Sequence, residues 1–161
     1  MEIFIKFAYT GTISWDAVEN LEELIKDADF LGIIDIKEEA IKVFASDLDP
    51  LKAIETYNLS EMWNSSFLKE KCIKTVLKNF ELVCSTDEFL QLNIELFKEI
   101  LSSNSFISCT ETFLKGILEW TMKDVDLRKI CLTDILTLIG FGLFNADLSE
   151  GLATCFKIFV L

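Results

Sequence analysis

Asn20-Leu-Glu-Glu-Leu-Ile-Lys-Asp-Ala-Asp-Phe-Leu-Gly32 reads as one helix with both ends written into it. The Asn20 side chain can accept from the free N–H groups of a first turn, and Glu23, three residues on, has the spacing to reach back to the cap. Leu21, Leu24, Ile25, Ala28 and Leu31 recur at helical period and form one apolar stripe. Gly32 then supplies a residue that enters the left-handed region at little cost and stops the helix.

The same punctuation continues in both directions. Upstream, the apolar run Ile3, Phe4, Phe7, Ala8 halts at Gly11. Downstream, Asp35 with Glu38 marks a start whose apolar side is Ile36, Ala40, Val43 and Phe44. Asp49-Pro50 places a capping carboxylate before a ring of preset φ, a hinge between two helices. Ser66 opens a long helix through Leu68, Cys72, Val76 and Phe80, and Ser85 with Glu88 and Ser108 with Glu111 have capping-box spacing. Short polar links such as Ser102-Ser-Asn-Ser105 suit antiparallel neighbours, and no strand-type alternation persists. The expected fold is all-α, eight to ten helices in antiparallel hairpins.

Composition narrows function by exclusion. A chain of 161 residues, 51% hydrophobic with one proline, can bury a core as one domain or two closely packed subdomains. Its net charge of −12 disfavours a nucleic-acid partner and mildly favours a basic protein one. The longest strongly apolar uncharged run, Ile135 to Ala146, falls short of the ~20 residues of a bilayer span, and no signal-peptide pattern follows Met1. No membrane partner is expected, and the cytoplasm, with the nucleus as a second compartment, is the expected location. The cysteines Cys72, Cys84, Cys109, Cys131 and Cys155 are dispersed, and no histidine exists to complete a zinc site or a thiolate–imidazole couple. They read as reduced packing thiols. Paired acids such as Glu22-Glu23, Glu38-Glu39 and Asp87-Glu88 point about 100° apart on a helix and make no acid/base pair. No metal, no cofactor and no catalysis are expected.

The order of phrases Phe7-Ala-Tyr-Thr-Gly-Thr-Ile13, Leu24 to Ile33, Asp47-Leu-Asp-Pro50 and Gly116-Ile-Leu-Glu-Trp120 resembles the C-terminal part of a BTB/POZ domain running into a BACK domain. That pair precedes the Kelch repeats in Kelch-like proteins. Lys78-Asn-Phe80 followed by Glu88-Phe-Leu-Gln-Leu92, and Phe113-Leu-Lys-Gly-Ile-Leu-Glu-Trp120, match later turns and the helix that ends in tryptophan. Ile139-Gly-Phe-Gly-Leu-Phe144 departs from the family by lacking its arginine and proline. The resemblance implies a BTB fragment over 1–47, a BACK domain over 48–144 and an irregular tail over 145–161.

It further implies a protein-interaction scaffold, the substrate adaptor of a cullin-RING E3 ubiquitin ligase, whose partner is the third cullin paralogue or another BTB protein. The BTB elements that dimerise and grip the cullin are not seen ahead of Met1, nor a substrate-reading propeller after Phe144. A truncated regulatory or non-functional fragment that does not bind the cullin is the alternative, whether isoform, partial gene model or degenerate paralogue. A BTB-type transcriptional regulator is the alternative of another class. The resemblance puts the surviving cullin contact between Lys42 and Trp63, on Phe44, Leu48, Ile54, Tyr57, Leu59, Met62 and Trp63. Most of these equally suit a core, as do Tyr9, Trp15 and Trp120. The apolar face of Ile3, Phe4, Phe7, Leu21, Leu24, Ile25 and Leu31 is expected to lack part of its cover, making the segment before Asp47 less stable and prone to self-association.

Overall fold

The computed structural model describes residues 2–102 and 111–138; Ser108, Cys109, Cys155, the 139–144 phrase and the 145–161 tail lie outside them. Ten α-helices and two 3-10 turns make up the described residues, with no strand among them. The all-α expectation holds. The chain divides into two compact units, one ending at Asp47 and one beginning at Leu48.

The first unit holds α1 (Glu2–Thr10), a 3-10 turn (Trp15–Ala17), α2 (Leu21–Phe30) and α3 (Ile34–Ser46). Gly11 ends α1 at φ 66°, its N–H donating to Phe7 O at 2.7 Å. Asn20 caps α2 by accepting from the Glu23 N–H at 3.2 Å. At the other end Ile33 N–H donates to Ala28 O and Gly32 N–H to Asp29 O, a Schellman turn with Gly32 at φ 70°. That turn leads straight into α3, which starts at Ile34 without a side-chain cap. Asp35 therefore lies in the first turn and is not the cap that its spacing to Glu38 suggests. The α2–α3 hairpin buries Leu24, Ile25 and Ala28 against Ile36, Ala40, Ile41 and Ala45. Val43 and Phe44 are half-buried, because Ile41 and Ala45 take the inner face. Tyr9, expected in the core, is 88% exposed. Of the face expected to lack cover, Phe4, Leu24 and Ile25 are buried and Leu31 is exposed.

The second unit opens with a 3-10 turn (Pro50–Lys52) and continues through α4 (Ala53–Met62), α5 (Ser66–Lys78), α6 (Phe80–Val83), α7 (Asp87–Leu90), α8 (Ile94–Ser102), α9 (Glu111–Lys123) and α10 (Val125–Leu138). Helices α4 and α5 form a hairpin, α6 and α7 pack on α9, and α10 lies against α8 and α9. Two start signals shift by one residue. Ser65, not Ser66, caps α5 by accepting from Leu68 N–H at 3.3 Å. Thr86, not Ser85, caps α7 by accepting from Phe89 N–H while its own hydroxyl donates to Val83 O; the Ser85 hydroxyl donates to Leu82 O and accepts from no α7 N–H. Asn93 caps α8, accepting from Leu96 N–H at 2.7 Å. Phe80 begins α6 and does not end α5.

Four aromatic rings thread this core. Phe80 and Phe89 meet edge to face at 5.3 Å, Phe89 and Phe97 likewise at 5.6 Å, and Phe97 stacks on Trp120 at 4.1 Å. The Trp120 indole N–H donates to Leu92 O at 3.0 Å. Arg128 closes the arrangement: its guanidinium lies 4.2 Å from the Trp120 ring centroid and donates to Leu90 O, Leu92 O and Trp120 O. Burial lowers the Arg128 pKa from its usual value, and Asp124 opposes the shift. With neutral carbonyls as its partners, the guanidinium is solvated by backbone in place of water.

Candidate interaction surface

The α4–α5 hairpin is the segment on which the sequence-predicted residues concentrate. Its first turn is set by Asp49, whose Oδ1 accepts from Leu51 N–H at 3.0 Å while Pro50 fills the first position. Helix α4 then buries Ala53, Ile54, Thr56, Tyr57 and Ser60, leaving a narrow outer stripe of Glu55, Asn58, half-buried Leu59 and Met62. Asn64 reverses the chain at φ 50°, with Asn64 N–H on Glu61 O and Ser65 N–H on Ser60 O. Asparagine tolerates that left-handed position better than any residue but glycine.

Of the predicted contact residues, Ile54, Tyr57 and Trp63 are core side chains at 6%, 4% and 3% exposure. Leu48 and Leu59 are half-buried, and Met62 is 71% exposed. Phe44, half-buried, belongs to α3 in the other unit. Met62 and Leu59, one turn apart on α4, are brought onto one outer face. Ile54, Tyr57, Cys72, Ile73, Val76, Leu96 and Ile100 converge in an apolar seam between α4, α5 and α8. Burial pushes the Cys72 thiol up to about 12 and raises that of Cys84, where Glu119 adds to the effect. Both thiols stay protonated and unreactive at neutral pH.

The seam carries a polar clasp on its rim that no local spacing announced. Tyr57 Oη donates to Glu99 Oε2 at 2.6 Å, and Lys69 Nζ lies 3.1 Å from Glu99 Oε1, 3.7 Å from Glu61 and 5.1 Å from the Tyr57 ring centroid. Burial first, and then the Glu99 hydrogen bond, raise the Tyr57 pKa to about 12. Burial pushes Glu99 upward, but the bonds from Tyr57 and Lys69 outweigh it and hold the carboxyl below its usual range. The two signs give opposite pH limits. The Tyr57 contribution is complete below its unfolded pKa of about 10 and is lost as pH rises toward 12. The Glu99 contribution is complete above about pH 4.3 and is lost as pH falls through its depressed folded value. Thermal melts should therefore show Tyr57→Phe less stable than the parent by about 1 kcal/mol at pH 7, allowing for the solvent that reaches Glu99. That gap should close above about pH 11, and a Glu99→Gln deficit should shrink below about pH 4. A pH-independent gap for both variants would contradict these assignments.

Among the described residues no group of three or more His, Cys, Asp or Glu could hold a metal ion, and no helix is long and apolar enough to cross a membrane. The hairpin leaves Leu59 and Met62 on its outer face, and the clasp ties α4 and α5 to α8. The family described as BACK, BTB And C-terminal Kelch, matches residues 53–151. Kelch-like protein 25 of Xenopus tropicalis is 26% identical over 156 residues, covering 96% of this chain and 26% of that protein. Kelch-like protein 24 of Homo sapiens is 27% identical over 148 residues, covering 91% and 24%. Kelch-like protein 28 of Homo sapiens is 27% identical over 146 residues, covering 90% and 25%. The chain thus spans about a quarter of the length of these curated relatives.

Proposed function

The chain belongs to the BACK family, BTB And C-terminal Kelch, and from that premise we propose that it is a non-catalytic scaffold that contributes to a cullin-RING ubiquitin ligase adaptor. The partner is the third cullin paralogue, and the setting is intracellular. The observation that carries the reading is the α4–α5 hairpin at the start of the matched region, with Met62 and Leu59 on its outer face over a braced core. Helical grooves and faces of this kind take apolar anchors from a partner segment. Similarity to Kelch-like proteins over most of the chain supports the assignment. On this reading 1–47 corresponds to the end of a BTB domain, and Leu48, Leu59 and Met62 make the contact. Ile54, Tyr57 and Trp63 hold its shape from inside.

Affinity should be weak, because a few anchors carry most of the energy of such a contact. The test is binding of the full chain to the N-terminal region of the third cullin, measured by biolayer interferometry. Met62→Glu should weaken binding about tenfold or more with an unchanged melting temperature, since the side chain is exposed. Binding that ignores Met62→Glu and Leu59→Ala would refute the surface. Complete absence of binding by the parent chain would favour a fragment that does not engage the cullin.

A further inference from the structure

Helix α5 turns one face to solvent, and along it run Phe67, Lys71, Lys74 and Lys78. That spacing keeps all four on one side over about three turns. Phe67 is 50% exposed. Lys74 pairs with Glu70, but Lys71 and Lys78 have no ion-pair partner among the described residues. In a chain of net charge −12 this is a local reversal of sign beside an uncovered ring.

The α2–α3 corner carries the inverse pattern. Phe30 is 91% and Ile34 65% exposed, and they stand between Asp27 and Asp35, both exposed and neither in an ion pair among the described residues. We infer that the α2–α3 corner of one copy of the chain docks on the outer face of α5 of a second copy. Phe30 and Ile34 cover Phe67, and Asp27 and Asp35 meet Lys71 and Lys78. The strongly negative overall charge makes a nucleic acid or an anionic lipid surface a poorer occupant of the lysine stripe than an acidic corner with its own apolar anchors. The two surfaces differ, so the contact is head to tail and propagates beyond a dimer. It is weak, because it rests on a few apolar anchors and exposed ion pairs, each of which contributes little. It stands independently of any cullin contact.

Sedimentation velocity on the full chain tests it. The weight-average mass should rise with concentration at low salt and fall back toward the monomer in about 1 M NaCl, where charge interactions are screened to about 3 Å. The double variants Lys71→Glu/Lys78→Glu and Asp27→Lys/Asp35→Lys should each weaken self-association about tenfold or more with unchanged circular dichroism. Mixing the two variants should restore it, because each then presents the charge that the other requires. A monomer at every concentration overturns the inference, as does association indifferent to both reversals. Association that strengthens with salt overturns it too, since it would be purely apolar.

Discussion

Trp120→Ala should cost about 4 kcal/mol of folding stability, the largest single-residue loss expected in the second unit. The side chain is fully buried, its ring stacks on Phe97 at 4.1 Å, and its N–H satisfies Leu92 O. Truncation empties a large cavity, removes the stacking partner and strips the face on which Arg128 lies. Trp120→Phe keeps part of the ring stack and loses the hydrogen bond, so it should fall about 2 kcal/mol short of the parent. Urea denaturation followed by circular dichroism measures both. Equal losses for the two variants would mean that the indole N–H, and not the ring volume, dominates.

Gly116→Val should destabilise by about 3 kcal/mol, although glycine is the poorer helix former. A Cβ at Gly116 would sit 2.8 Å from Phe80 Cε1 and 2.9 Å from Cys84 Cβ. The glycine therefore lets α9 come close to α6, and its value lies in the space it leaves, not in its backbone freedom. Gly116→Ala gains about 1 kcal/mol of helix propensity and loses about 1 to 3 to crowding, so a net loss of about 1 is expected. A stabilised alanine variant in the same denaturation assay would show that Phe80 moves aside freely.

How much of this was legible beforehand depended on how local the cause was. Asn20, Gly32 and Asp49-Pro50 act on neighbours within a few residues, and their caps and stops appear where the sequence puts them. The Ser85 signal failed because Thr86 beside it offers the same chemistry: both hydroxyls donate to carbonyls at the end of α6, and only that of Thr86 also accepts from the first turn of α7. For Ile54, Tyr57 and Trp63 helical period alone could not separate core from contact, because α4 is buried around most of its circumference. The Tyr57–Glu99 bond joins residues 42 apart, and no pattern in the chain announces such a pair.

The Arg128 latch bears on the order in which the molecule assembles. Its carbonyl partners Leu90 and Leu92 lie 38 and 36 residues back along the chain, whereas the α2–α3 and α4–α5 hairpins join neighbours across turns of a few residues. Closing a long loop costs chain entropy before any contact rewards it, so local hairpins are kinetically cheap and the latch is not. It is therefore expected to form after the folding barrier, so Arg128→Ala should speed unfolding and leave the folding rate nearly unchanged in stopped-flow denaturant experiments. Interactions of that kind leave the folding rate alone and slow the escape from the native state, so the Arg128 latch is expected to set the lifetime of the folded protein more than the speed of its making.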